Sequence, residues 1–179
     1  QVLYRDSVRA WLADQSDVAA AERVVRFGNA IRPTLADRLA AKASVLQTVA
    51  QAADLLAESD SSDRWLRTAV EVRSELADLG QADDGQLRLL AAGHARLGDA
   101  SKAAETWLTV LQRAPQNSLG WYEARLESIK QLETVDLEQA RNAAEQFRAL
   151  HPDLGPPSYR SQFETVLARL LGSNGEEPR

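Results

Sequence analysis

The 179-residue sequence contains no cysteine and no methionine, only nine glycines and six prolines, and 6% aromatic residues. Without cysteine there is no disulfide, no thiolate metal site and no thiol nucleophile. The compartment stays open, because cytosolic and exported proteins alike can lack cysteine. No stretch approaches the roughly 18 apolar residues of a membrane span, and no signal-peptide pattern is present. With no methionine at all, the chain reads as a fragment or a processed form, so these absences say little about a parent. The expectation for localisation is open, with a lean toward the cytoplasm. Basic and acidic residues number 21 and 26, for a net charge of −5. No block of like charge exceeds a few residues, so the sequence carries no nucleic-acid footprint and no membrane insertion is expected. Runs of alternating β-branched residues are missing too, which removes strand signals of useful length. What is present is 44% apolar residues, enough for a packed core. The class is all-α.

The apolar residues recur in a helix-pair pattern, clearest from Leu87 to Pro115. On one helix stand Leu87, Leu90, Ala91 and His94; Gly98-Asp99 follow; Ala103, Trp107 and Val110 stand on the next, closed by Pro115. This segment resembles the tetratricopeptide repeat, which sets a large residue, Leu, a small residue and an aromatic on one helix. A small residue, an aromatic and Pro follow, every 34 residues. His94 takes the place where Tyr is usual. A looser copy has Trp121, Ala124, Arg125, Ser128, Ala140, Ala144, Phe147 and Pro152. It lies 37 residues on, with the surplus near Glu133-Thr134-Val135, and a turn between helices is the cheapest place for an insertion. Arg125 departs from the small residue expected there. Upstream, Val8, Arg9 and Leu12 precede Ala21, Val25, Gly28 and Pro33 in the same pattern.

Between these copies lies a segment 14 residues too long for its class, with Arg73 where an aromatic is expected and Gln81 where Pro is expected. Leu39, Ala43, Leu46, Ala50, Ala53 and Leu56 form one apolar stripe, and Trp65, Ala69, Val72, Leu76 and Leu79 another. Fourteen residues make close to four helical turns, so both helices of a hairpin, about 36–56 and 63–79, are expected to be lengthened. The polar cluster Ser59-Asp60-Ser61-Ser62-Asp63 supplies N-cap residues for the second. At the C-terminal end, Phe163, Val166, Leu167 and Leu170 mark a helix after Pro156-Pro157, as an array needs to cover its last apolar face.

The resemblance implies a right-handed superhelix of antiparallel helix pairs with a groove lined by the first helix of each. The expected organisation is one domain over 1–171, with pairs at about 2–33, 36–81, 84–117 and 118–153. A capping helix at about 158–171 and a flexible tail, 172–179, complete it.

Candidate chemistry is thin. His94 and His151 have no partners at metal-ligand spacing, so His94 reads as a packed core residue and His151 as a solvated turn residue. Asp83-Asp84-Gly85 lacks the remaining ligands of a calcium loop and reads as helix capping. Gly80 with Gly85, and Gly93 with Gly98, have phosphate-loop spacing, but Gln86 and Asp99 stand where Lys is required. Trp11, Trp65, Trp107 and Trp121 are assigned to packing. No cofactor, metal or catalytic residue is expected.

The expected function is non-catalytic: a protein-interaction or assembly scaffold that holds a peptide or helix in its groove. The alternatives are an accessory domain of a larger enzyme and a subunit oligomerising through the hairpin at 36–79. One repeat subclass clamps a C-terminal carboxylate with Lys, Asn and Arg. The matching positions here hold Asp6, Ala10, Ala41, Arg88 and Ala92, and only Arg88 has the required charge, which disfavours that clamp. In the repeat register Leu119, Tyr122, Leu126 and Ile129 form an apolar strip facing the groove, with Arg96 and Lys130 at its edge and Arg88 also assigned to the groove. That strip is expected either to be the partner-binding surface or to be covered by neighbouring helices or a folded-back segment of the same chain.

Overall fold

A computed structural model of the chain describes residues 2–60 and 62–172. Among the described residues there are nine α-helices and no strand, so the fold is all-α. They are α1 (Val2–Ala13), α2 (Val18–Ile31), α3 (Leu39–Ser59), α4 (Asp63–Asp78), α5 (Asp84–Arg96), α6 (Ala100–Arg113), α7 (Leu119–Val135), α8 (Leu137–Leu150) and α9 (Pro157–Gly172). A 3-10 turn, Arg32–Leu35, follows α2 directly, with Pro33 near its start. Ser61 and residues 173–179 of the expected tail lie outside the described residues.

Local chemistry explains where most helices begin. The carboxylates of Asp17, Asp99 and Asp136 accept from the backbone N–H of Ala20, Lys102 and Gln139, and the Ser118 hydroxyl accepts from that of Trp121. Each satisfies a donor that the first turn leaves without a partner. Asp83 does the same for Gln86 at 2.7 Å, in keeping with its reading as a cap. Gly98, at φ 80°, ends α5. There the Asp99 N–H donates to the His94 carbonyl, a left-handed closure that favours glycine.

The described contacts fall into two compact units, residues 1–93 and 94–179, where the sequence reading expects one domain over 1–171. In the first unit α1, α2, α3 and α4 pack consecutively. Its core holds Val24, Leu46, Val49, Leu56, Val72 and Leu76. Ala21 and Val25 are buried at their pattern positions, and Gly28 permits a close approach, since a Cβ there would collide with Val49 Cγ2. Both stripes of the long hairpin are buried apart from Leu39 and Leu79. Both helices run unbroken and exceed their flanking pairs, but unequally. α3 has 21 residues against 13 in α5, while α4 has 16 against 14 in α6. The remaining surplus goes into the 3-10 turn and connections rather than into α4.

Arg73 occupies the expected aromatic position and is nonetheless only 2% exposed. Its Nη1 donates to Asp54 Oδ1 at 2.9 Å, its Nη2 donates to Asp54 Oδ2, and its Nε donates to Gln86 Oε1 at 2.9 Å. A bidentate carboxylate and an amide together satisfy the buried guanidinium.

In the second unit the core gathers Trp121, Tyr122, Leu126, Ile129, Phe147, Phe163, Val166, Leu167 and Leu170. Trp107 and Val110 are buried on α6, and His94 is buried as expected. The extra three residues near Glu133 do not loosen a turn. α7 carries on through Val135 for 17 residues, and Asp136 alone links it to α8. An insertion close to one helical turn preserves the buried face, and the Asp136 cap then starts the next helix at once. The final helix buries all four residues expected of it.

Candidate functional site

The apolar strip expected to face a groove is core. Tyr122, Leu126 and Ile129 are 7%, 1% and 0% exposed. They are covered within the second unit: α9 lies against both α7 and α8, and Phe163 of α9 stacks on Phe147 at 4.0 Å and meets Tyr122 edge-on at 6.5 Å. The physical reason is that α7 carries apolar residues on two faces, Trp121 with Ala124 and Tyr122 with Leu126 and Ile129, so it needs cover on both. Its Trp121, Ala124 and Ser128 face is buried as well. Of the four, only Leu119 stays open, at 61%. Lys130 is tied down by Glu127 Oε1 at 2.7 Å and donates to Gln162 Oε1 at 3.3 Å. Arg96 is exposed at the end of α5, and Arg88 is half-buried in the first unit. Within the second unit, Tyr122, Leu126 and Ile129 therefore do not line an open groove.

His151 also departs from its expected place in solvent. It is half-buried, stacked on Phe147 at 5.1 Å and set against Trp121 at 5.2 Å. Its Nδ1 lies 3.5 Å from the Tyr122 hydroxyl. Arg125, which breaks the repeat pattern, has its guanidinium 5.5 Å from the Trp121 ring, and burial lowers its pKa. A flat cation can occupy a small-residue position when an aromatic face receives it.

An open concavity lies elsewhere, between α2 and α4 in the first unit. It encloses about 380 Å³ and is lined by Glu22, Arg23, Val25, Arg26 and Asn29 of α2 and Arg64, Trp65 and Thr68 of α4. Helical spacing builds both walls. Glu22, Arg26 and Asn29 share one face of α2 at steps of four and three, and Arg64 and Thr68 stand one turn apart on α4. Val25 and Trp65 are buried and form an apolar floor. Three guanidiniums and one carboxylate rim it.

The guanidiniums are held in distinct ways. Arg26 lies over the Phe27 ring at 4.6 Å, and Arg64 lies over the Trp65 ring at 4.3 Å. Among the described residues neither makes an ion pair, although the Arg64 charge helps lower the pKa of Asp60, whose main cause is the hydroxyl and amide of Ser62. Arg23 is 3.9 Å from Asp17, an exposed pair that contributes little. The Ser62 hydroxyl donates to Asp60 Oδ2 at 2.7 Å, and no side chain caps the first turn of α4 beside Arg64 and Trp65. Three guanidiniums and one carboxylate thus surround a floor formed by Val25 and Trp65.

No family model, curated protein or solved structure matches the chain. The cleft therefore stands on its own geometry. Among the described residues no cluster of His, Asp or Glu is arranged to hold a metal, and no helix is long and apolar enough to cross a membrane. Sequence reading missed Arg23, Arg26, Asn29, Arg64 and Thr68 as site residues. The signal was there only in halves: Arg23 and Arg26 stand three residues apart on α2, and Arg64 precedes Trp65 on α4. Nothing in the sequence says that α2 and α4 present those faces to one another.

Proposed function

We propose that this chain is a non-catalytic helical-repeat binding module, and that the arginine-rimmed cleft between α2 and α4 holds a protein partner. The repeat resemblance supports a scaffold role, and the buried pattern residues Ala21, Val25, Ala103, Trp107, Ala140 and Phe147 fit that register. The observation that carries the reading is the pair Arg26 and Arg64, two guanidiniums laid over rings and without ion pairs among the described residues, facing a concavity. Oligomerisation through the hairpin at 36–79 is less well supported, because its apolar stripes are largely consumed inside the first unit.

The test is differential capture by the whole chain and by R26E/R64E. The wild type is expected to retain a discrete partner that the double variant loses, at unchanged thermal midpoint. Equal capture by both proteins removes the cleft from the reading.

A further inference from the structure

Resting on the cleft as the docking surface, we infer that its occupant is an acidic peptide segment of a protein partner. Its carboxylates meet the guanidiniums of Arg26 and Arg64, and an apolar side chain between them touches the small part of Val25 and Trp65 that stays exposed.

Charge gives the first reason. The lining carries three arginines against one carboxylate, Glu22, in a chain whose net charge is −5. Asp17 lies 3.9 Å from Arg23 and Asp60 stands near Arg64, so among the described residues Arg26 is the rim cation with no carboxylate assigned to it. A local positive excess on an acidic molecule attracts a short acidic segment while the remainder repels an extended polyanion. Glu22 sets the register along the cleft, because a carboxylate placed beside it is repelled.

Geometry gives the second. A guanidinium offers a planar fork that matches the two oxygens of a carboxylate. Contact with Phe27 and Trp65 restrains the side chains of Arg26 and Arg64 before the ligand arrives, so less side-chain freedom is lost on binding. Asn29 supplies an amide able to donate to, and accept from, a peptide backbone. The Thr68 hydroxyl is already donated to the Arg64 carbonyl at 3.2 Å and keeps its lone pairs for an incoming N–H.

The floor and the volume give the third. About 380 Å³ sits near the lower end of ligand pockets, room for about two side chains above Val25 and Trp65. A nucleic acid fits less well. Single strands are held by stacking bases on open rings, and the one aromatic of this cleft is 8% exposed with Arg64 laid over it.

The experiment titrates the full chain with a short fluorescent peptide of alternating Glu and Leu. Comparison arms are the same peptide with Gln for Glu, a single-stranded oligothymidylate and inorganic phosphate. The Glu peptide is expected to bind, to weaken as salt rises, and to lose about tenfold or more in affinity when Gln replaces Glu or when R26Q is introduced. R26K/R64K keeps the charge without the fork and is expected to fall between the wild type and R26Q/R64Q. Thermal midpoints of all variants show that each is folded. Equal affinity for the Glu and Gln peptides overturns the acidic occupant, as does tighter binding of oligothymidylate or of phosphate alone. Should the captured partner need Arg26 and Arg64 while the Glu peptide does not bind, only this inference fails. Should partner capture ignore both arginines, the docking surface itself fails.

Discussion

Removing Asp54 should destabilise the first unit more than removing Arg73, although Arg73 is the buried member of the pair. Their side chains are 35% and 2% exposed respectively. Asp54→Ala leaves a guanidinium inside the unit with the Gln86 amide as its remaining partner. Stripping the partner from a buried charge costs about 3–5 kcal/mol. An open concavity lined by Trp11, Gln15, Gln51, Leu55 and Glu58 adjoins Asp54 and lets water approach, which points to the low end of that range. Arg73→Met behaves differently. It keeps most of the aliphatic volume, removes the charge that was costly to bury, and leaves a carboxylate that water already reaches. The lost hydrogen bonds and the relieved desolvation oppose each other, for a net cost of roughly 0–2 kcal/mol. The expected difference is therefore about 2 kcal/mol, with Asp54→Ala the worse. Urea unfolding followed by far-ultraviolet circular dichroism reads it as a midpoint gap of about 1 M at an ordinary denaturant slope. A loss for Arg73→Met equal to or greater than that for Asp54→Ala would refute the reasoning.

Three further outcomes follow from packing and burial. Trp107→Ala should lower stability by about 3–5 kcal/mol through the cavity it leaves, and a variant that unfolds like the wild type would show the repeat register to be wrong. Gly93→Ala places a Cβ 2.5 Å from Val70 Cγ2, so it should cost about 1–3 kcal/mol, and Val70→Ala in the same chain should recover part of the loss. Additive losses would deny the contact. Burial holds the His94 imidazole below its ordinary value of 6.5, against the opposing pull of Asp99. The unfolded chain therefore takes up a proton more readily than the folded one. The stability tied to neutral His94 is complete above pH 6.5 and declines as pH falls below it. His94→Tyr should flatten that decline in midpoint-against-pH curves, and an unchanged slope would assign it to other groups.

The helices were largely legible because their signals are local. Ala103, Trp107 and Val110 fall at helical spacing after the Asp99 cap, and the C-terminal face from Phe163 to Leu170 reads directly from the sequence. The insertion near Glu133 was visible in the register, but its form was not. A three-residue surplus can sit in a turn or extend a helix, and only packing around α7 decides for the helix. The strip from Tyr122 to Ile129 was ambiguous for a related reason: an apolar face looks the same in sequence whether it awaits a partner or is covered by α9. Arg73 could be seen as a departure, yet its remedy lay 19 residues away at Asp54. The cleft was least legible of all, since its two walls are separated by the whole of α3.

Hydrogen–deuterium exchange on the full chain tests the placement of the binding surface most directly. It compares the free chain with the chain saturated by the partner that wild type captures and R26E/R64E does not. Protection is expected over residues 22–29 of α2 and 62–68 at the start of α4, with α7 unchanged. Protection concentrated on the exposed face of α5 or at Leu119, with the cleft segments unaltered, would contradict it.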